Sequence, residues 1–332
     1  MSLSSLGTLV ARIARKARTD EAPQAVEPPA PSPEEAAATA PEIIPEPENV
    51  LGEVATYVCR DGTLSHLARD ECIGRSLHYY GEWGFREIEL LRIFVRPGDT
   101  VLDIGANVGT HTIALGRLVG EAGAVLAFEG QPLIHSILAH NIVQNGMSKW
   151  VHAFNMLVGS AQRLVPQALL PADQMNNTGA KSFFHDVGRR RLGQGEPTVW
   201  LAMATIDQLD LPRCDLMKID VEAMEVEVFR GGLATLRRHQ PVVYFEHAMA
   251  GPEHLIAIAE LLLPLGYKFA WHIANPFNPD NFRGVAQNIF GGNVEVNVLA
   301  LPAGRAFPDG VVPIEDLREP PPRPSQAEAL HG

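Results

Sequence analysis

Three acids stand at the ends of strand-like runs, where an open α/β sheet holds its ligands: Asp103, Glu129 and Asp220. Asp103 lies within Val101-Leu-Asp-Ile-Gly-Ala-Asn-Val-Gly109, two residues before the turn Gly105-x-Asn107-x-Gly109. Glycines let a backbone come close to a ligand, and a helix-like run from Thr110 to Val119 would offer its first N–H groups there. A dinucleotide turn reads G-x-G-x-x-G with small residues where this chain has Asn107, and an acid at 103 suits a pyrophosphate badly. It suits the ammonium of an amino-acid end, met directly or through water. Glu129 closes Ala127-Phe-Glu, 26 residues after Asp103, where a carboxylate accepts both ribose hydroxyls. No G-x-x-x-x-G-K-[ST] occurs, so P-loop chemistry is absent. S-adenosylmethionine best matches acid, glycine turn and acid. Its predicted holders are Asp103, Gly105, Asn107, Gly109, Thr110, Glu129, Gly130 and Asp220.

The third acid comes from Asp215-Leu-Met-Lys-Ile-Asp-Val-Glu-Ala-Met-Glu225, where a buried strand delivers Asp220 and Glu222 to the same edge. Adjacent carboxylates are costly unless solvated, paired or functional. The plainer reading is that Glu222 and Glu225 favour a helix N-terminus.

The elements that position these acids alternate along the chain. Strands are expected at 100–104, 124–128, 150–157, 215–219, 242–246, 267–271 and 294–300, with helices at 107–119, 132–145, 222–239 and 253–265. This predicts an α/β class, a doubly wound and mainly parallel sheet of seven strands, the last antiparallel because no helix separates it from its predecessor. Ahead of it, Val54–Val58 and Thr63–Ala68 flank Asp61-Gly62 as a hairpin, and Phe85–Val95 reads as a helix. The predicted organisation is 1–49 as a basic segment and linker, 50–98 as an N-terminal cap, 99–302 as the main domain and 303–332 as a loose tail. Residues 20–49 hold eight prolines, eight acids and no base, which cannot form a core. Residues 1–19 carry Arg12, Arg15, Lys16 and Arg18 beside Leu6, Leu9, Val10 and Ile13. They read as a frayed helix or, more sharply, as a weak contact with anionic lipid or a partner.

Among 332 residues, 46% are hydrophobic and 20% charged, an ordinary globular composition. A net charge of −12 argues against broad nucleic-acid binding. Cys59, Cys72 and Cys214 are few and widely spaced, which fits a reducing, cytoplasmic setting and neither disulfides nor zinc. No histidine pair has metal-ligand spacing, and no metal is predicted. No apolar run is long enough to span a membrane.

The chain resembles the FkbM family of S-adenosylmethionine-dependent methyltransferases. The residues that carry the resemblance are Val101–Gly109, Ala127–Glu129, Asn141-Ile-Val-Gln-Asn-Gly146, Thr205-Ile-Asp-Gln-Leu209 and Asp215–Glu225, within a stretch from Tyr79 to Pro302. The resemblance implies a seven-stranded methyltransferase sheet and O-methylation of a sugar, glycolipid or polyketide-type product. Two positions depart from the family pattern: Gly130, where proline is common, and Ala223, where glycine is common.

Methyl transfer to oxygen is an in-line displacement, for which alignment can supply about 7–11 kcal/mol. A base adds ~10²–10⁴-fold. Candidate bases are Asp220, Glu222, Glu246, His247 and His272. Asn177 and Ser182, in a loop resembling the family's Asn-x-Gly-x-x-Ser element, are predicted to meet the acceptor, as are Trp83, Phe277 and Asn281. Asn275-Pro-Phe is similar to a motif of base-modifying N-methyltransferases, but it follows a different strand. The alternatives are therefore a nucleic-acid N-methyltransferase, disfavoured by charge and motif order, and a non-catalytic binding protein.

Overall fold

The computed structural model describes residues 49–51, 53–168, 198–247 and 251–322. Strands β1 (Asn49–Leu51), β2 (Val54–Cys59) and β3 (Gly62–Leu67) form a small antiparallel sheet. Cys59 pairs with Gly62, so the hairpin turns on Arg60-Asp61, one residue earlier than the expected Asp-Gly. Helices α1 (Ile73–Tyr80) and α2 (Phe85–Arg92) follow, flanking left-handed Gly81 and Gly84.

The main alternation is β4 (Thr100–Ile104), α3 (Thr110–Val119), β5 (Ala124–Phe128), α4 (Pro132–Gln144) and β6 (Val151–Phe154). It resumes with β10 (Leu216–Ile219), α5 (Glu225–Arg230), α6 (Leu233–His239), β11 (Val242–Glu246), α7 (Pro252–Leu262), β12 (Tyr267–Ala274) and β13 (Glu295–Pro302). Between the halves, β7 (Leu157–Val158), β8 (Arg163–Ala168) and β9 (Thr198–Ala204) make a separate three-stranded sheet. The expected strand 150–157 is thus two, broken at Asn155-Met156, so that its end joins that second sheet.

The order of the main sheet is β14-β12-β13-β11-β10-β4-β5-β6, with β14 at Val312–Pro313. Strands β11, β10, β4, β5 and β6 pair in parallel; β13 pairs antiparallel with β12, as the missing helix predicts, and inserts between it and β11. The count of seven is corrected to eight, because the proline-rich segment supplies an edge strand against Ala270 and Trp271. An edge tolerates Pro313, which can donate no ladder bond. Val311 and Leu317 are buried beside it. The helix expected over 222–239 is also two. Gly231 and Gly232 divide it because a Cβ at Gly231 would stand 2.0 Å from the carbonyl oxygen of Gly159.

Strand alternation sorts the core into two faces. Val101, Leu216, Val242 and Tyr244 face a layer built from α3, α4, the β2–β3 hairpin and helices α1 and α2. Leu102, Met217, Ile219, Val243 and Phe245 face α5, α6 and α7. Asn141, wholly buried on α4, ties the first layer together. Its Oδ1 accepts from Ser65 N at 2.8 Å, and its Nδ2 donates to Ser65 O at 2.9 Å and Val108 O at 2.7 Å.

Candidate active site

The carboxyl ends of β4, β5, β10 and β11 meet at one edge. Gly105 (φ +84°) leaves β4 there, and a Cβ on it would lie 1.7 Å from the carbonyl oxygen of Asp220, so the two strand ends touch backbone to backbone. Asn107 (φ 50°) and Gly109 (φ +94°) continue the turn in left-handed conformations. The amides of Gly105 and Ala106 both donate to Phe128 O at 2.9 Å, which fixes the turn on β5. Thr110 then opens α3, whose first turn no side chain caps.

Glu129 faces this turn. Its Oε2 accepts from Asn107 N at 3.0 Å and its Oε1 from Gln131 N at 2.6 Å. Burial pushes its pKa up to about 7 against these two bonds. Each oxygen keeps a lone pair for a further donor. Gly130, where the family often has proline, is held by Asn155 Nδ2, which donates to its carbonyl at 3.1 Å.

Asp103 is wholly inside, so of the two expected routes to an ammonium, direct or through water, burial disfavours the direct one. As a central residue of β4 it points into the face covered by α3. Thr112 Oγ1 donates to its Oδ2 at 2.6 Å, and Lys218 Nζ stands 3.7 Å from Oδ1, which has no hydrogen-bond donor among the described residues. Lys218 pairs in register with Asp103 on one side and Tyr244 on the other, so all three share a face. It also donates to Asp220 Oδ2 at 3.0 Å. Burial opposes its charge, but Asp220, Asp103 and Glu87 outweigh that and raise its pKa above the usual lysine value. Lys218 is absent from the predicted site; the available signal was a lone cation inside the apolar run Leu216-Met-Lys-Ile.

Carboxylate oxygens of Asp220, Glu222 and Glu246 all lie within 4.8 Å of one another. Such a set could ligate a hard cation, but crowding also raises the acids themselves. Burial, then Asp220 and Glu225, takes Glu222 to about 7. Burial, then Glu87 and Asp220, takes Glu295 to about 8, and burial with Asp220 and Glu222 raises Glu246 strongly. An adjoining pocket is lined by Trp83, Arg86, Glu87, Asp220, Glu246, Asn275, Glu295 and Asn297, among others.

The two predicted histidines lie away from this lining. His247 follows Glu246 and so points to the opposite face of the sheet, between Trp271 and His254, where burial and His254 bring its pKa down to about 4. His272 is on the pocket's face but one pleat deeper, 2% exposed, its Nδ1 2.7 Å from Tyr244 Oη. Trp83 does line the pocket. Phe277 packs instead on Tyr80, at 5.4 Å between ring centres. Asn281 is turned into its own loop, where Nδ2 donates to Asn278 O and Val285 O. The loop meets the pocket through Asn275 and Pro276, and Glu82 anchors it by accepting from Asn278 Nδ2 at 2.9 Å and Phe282 N at 2.9 Å. Asn177 and Ser182 lie outside the described residues.

A glycine turn, an acid on the next strand and an acid across the crevice stand at the carboxyl edge of a doubly wound α/β sheet, where such sheets hold their ligands. The family described as the methyltransferase FkbM domain matches residues 103–269, half of the chain, and the chain belongs to that family. A curated relative, methyltransferase sdnD of Sordaria araneosa, is 25% identical over 154 residues, covering 40% of this chain and 59% of the relative. Among solved structures, methyltransferase FkbM of Methylobacillus flagellatus aligns at 13% identity and a TM-score of 0.40, over 65% of this chain and 50% of that one. The precorrin-6y C5,15-methyltransferase of Geobacter metallireducens aligns at 15% identity and a TM-score of 0.41, over 65% and 86%. The chain therefore spans only about half to three-fifths of the first relatives it matches.

Proposed function

We propose that this domain transfers the methyl group of S-adenosylmethionine to a hydroxyl of a small-molecule, glycan or glycolipid acceptor. The observation that carries the reading is the convergence of the Gly105–Gly109 turn, Glu129 and Asp220 beside one acid-lined pocket. The residues fit a cationic donor, because Asp220, Glu222, Glu246 and Glu295 crowd an edge where Lys218 is the buried counter-charge. The turn Gly105–Thr110 would hold the donor's nucleoside end, Glu129 its ribose hydroxyls and Asp220 its amino-acid end. When bound, it supplies an electrophilic methyl group on a sulfonium.

The chain's own residues do the rest. The Asp220 side chain, 37% exposed and held from behind by Lys218, faces the pocket and meets the donor's ammonium, while Glu222, within 4.8 Å of it and taken to about 7, receives the acceptor's hydroxyl proton. Trp83 and Asn297 orient the acceptor, and the loop pinned by Glu82 shields it from water. The three free cysteines support a cytoplasmic setting. No helix among the described residues is long and apolar enough to cross a membrane.

Equilibrium dialysis with labelled S-adenosylmethionine tests the donor site. Glu129→Ala should weaken binding roughly ten- to hundredfold, since hydrogen bonds to a charged group contribute about 1.5–3 kcal/mol. Wild-type protein that binds none, or a variant that binds equally well, sinks the reading. Mass spectrometry of glycans and glycolipids from cells with and without the gene should then show products heavier by one methylene unit.

A further inference from the structure

Glu87 occupies the first turn of α2, outside the motifs that mark the donor site. Its carboxylate is buried, and both oxygens are engaged. Oε2 lies 2.7 Å from His111 Nε2, and Oε1 accepts from Asn297 Nδ2 at 2.7 Å. His111 and Asn297 are themselves 5% and 4% exposed. His111 is the second residue of α3, the helix that begins directly after Gly109. Asn297 is on β13, paired with Glu246 on one side and His272 on the other. One carboxylate therefore joins three elements that no sequence motif connects.

The join is close-fitting and charged. Gly84, three residues before Glu87, leaves no room beside His111: a Cβ there would lie 2.6 Å from His111 Cε1. Burial alone would push Glu87 up, but the close contact and charge of His111, with Lys218 and His272, hold its pKa below the usual value. A buried anion of this kind resists displacement, because leaving either partner unmatched costs its full desolvation. Trp83, Gly84, Arg86 and Glu87 also line the pocket, as does Asn297.

We propose that Glu87 is a positioning residue that couples the pocket wall 83–87 to the donor-side helix α3, acting through His111 and braced by Asn297. This rests on the methyl-transfer reading of the site. Its consequence is an order of events. A nucleoside settled on the Gly105–Thr110 turn fixes the first turn of α3, the 2.7 Å contact carries that constraint to α2, and the wall that receives an acceptor becomes rigid. Donor binding thus prepares the acceptor side.

Hydrogen exchange of the full chain, with S-adenosylhomocysteine as the probe, tests this. In wild-type protein the probe should slow exchange at 105–119 and also at 83–92. In Glu87→Ala the slowing at 105–119 should persist while that at 83–92 is lost. A purely structural role would raise exchange at 83–92 equally with and without the probe, and retained slowing there overturns the proposal. Should circular dichroism show that Glu87→Ala is unfolded, Glu87→Gln decides the matter: reduced slowing at 83–92 supports the coupling, and wild-type slowing overturns it. Calorimetry runs alongside. Absence of probe binding to wild-type protein overturns the donor site and the coupling with it, whereas binding without the differential loss overturns the coupling alone.

Discussion

The turns that leave β4 and β10 stand side by side, yet the chain builds them in opposite ways. After β4 the left-handed positions are taken by Gly105, Asn107 and Gly109, residue types that enter that region at little cost. After β10 they are taken by Glu222 (φ 50°) and Ala223 (φ 69°), which do not. The acids differ in the same sense. Asp103 is wholly buried with Thr112 and Lys218 against it, whereas Asp220, which shares Lys218, is partly exposed and crowded by Glu222 and Glu246. One turn is a relaxed scaffold with its charge balanced. The other holds strain and three crowded carboxyls, where burial and their neighbours raise the pKa of Glu222 and Glu246.

Removing the balance should produce the largest effect. Lys218→Met leaves Asp103 buried without its cation and should cost about 3–5 kcal/mol in denaturant unfolding. A loss below about 1 kcal/mol, the scale of a surface ion pair, would show that Lys218 is not what balances Asp103.

A smaller effect is expected from Glu129, whose pKa rises from 4.5 unfolded to about 7 folded. A raised carboxyl contributes stability that is complete below pH 4.5 and is lost as pH climbs to about 7. Glu129→Gln should therefore flatten the melting temperature against pH across that window, and an unchanged slope would contradict the assignment. A cationic donor selects the ionised form, so its affinity should increase with pH up to about 7 and then level off, with proton release visible by calorimetry in two buffers.

The smallest effect concerns the strained turn. Ala223→Gly relieves a left-handed residue worth about 1–2 kcal/mol but adds unfolded-chain entropy of about 0.4–1 kcal/mol, leaving a net stabilisation of roughly 0–1.6 kcal/mol. Thermal unfolding should move upward; a fall would mean that the methyl of Ala223 is itself needed. This position is where the family commonly has glycine, and the backbone angle supplies the reason.

Much of the fold was legible because its signals are local. Apolar runs of four or five residues, Gly-bearing turns and helical spacing predict the βα alternation, and the missing helix before the last long strand predicts its antiparallel pairing, though not its place between β11 and β12. The edge strand Val312–Pro313 was not legible, since two residues carry no period. Nor was the break at Gly231, which arises from the approach of Gly159, distant in sequence. In the site, residues fixed by backbone geometry are brought together: Gly105, Asn107 and Gly109 form one left-handed turn, and Glu129 accepts from the Asn107 amide. Residues chosen by side-chain type read poorly. His247 and His272 follow the right strands, but pleating sends one to the far face and sinks the other against Tyr244. Asn281 carries polar groups that its own loop consumes.

The sequence by itself determined that acids and a glycine turn would gather at one sheet edge, because strand ends and tight turns follow from nearest neighbours along the chain. Only the tertiary structure decided how those acids are charged and what walls the pocket. Those depend on Lys218 lying between two parallel strands and on Glu87 meeting His111 and Asn297 across 24 and 210 residues of chain. Burial and Coulomb interactions act through space, and no local pattern encodes them.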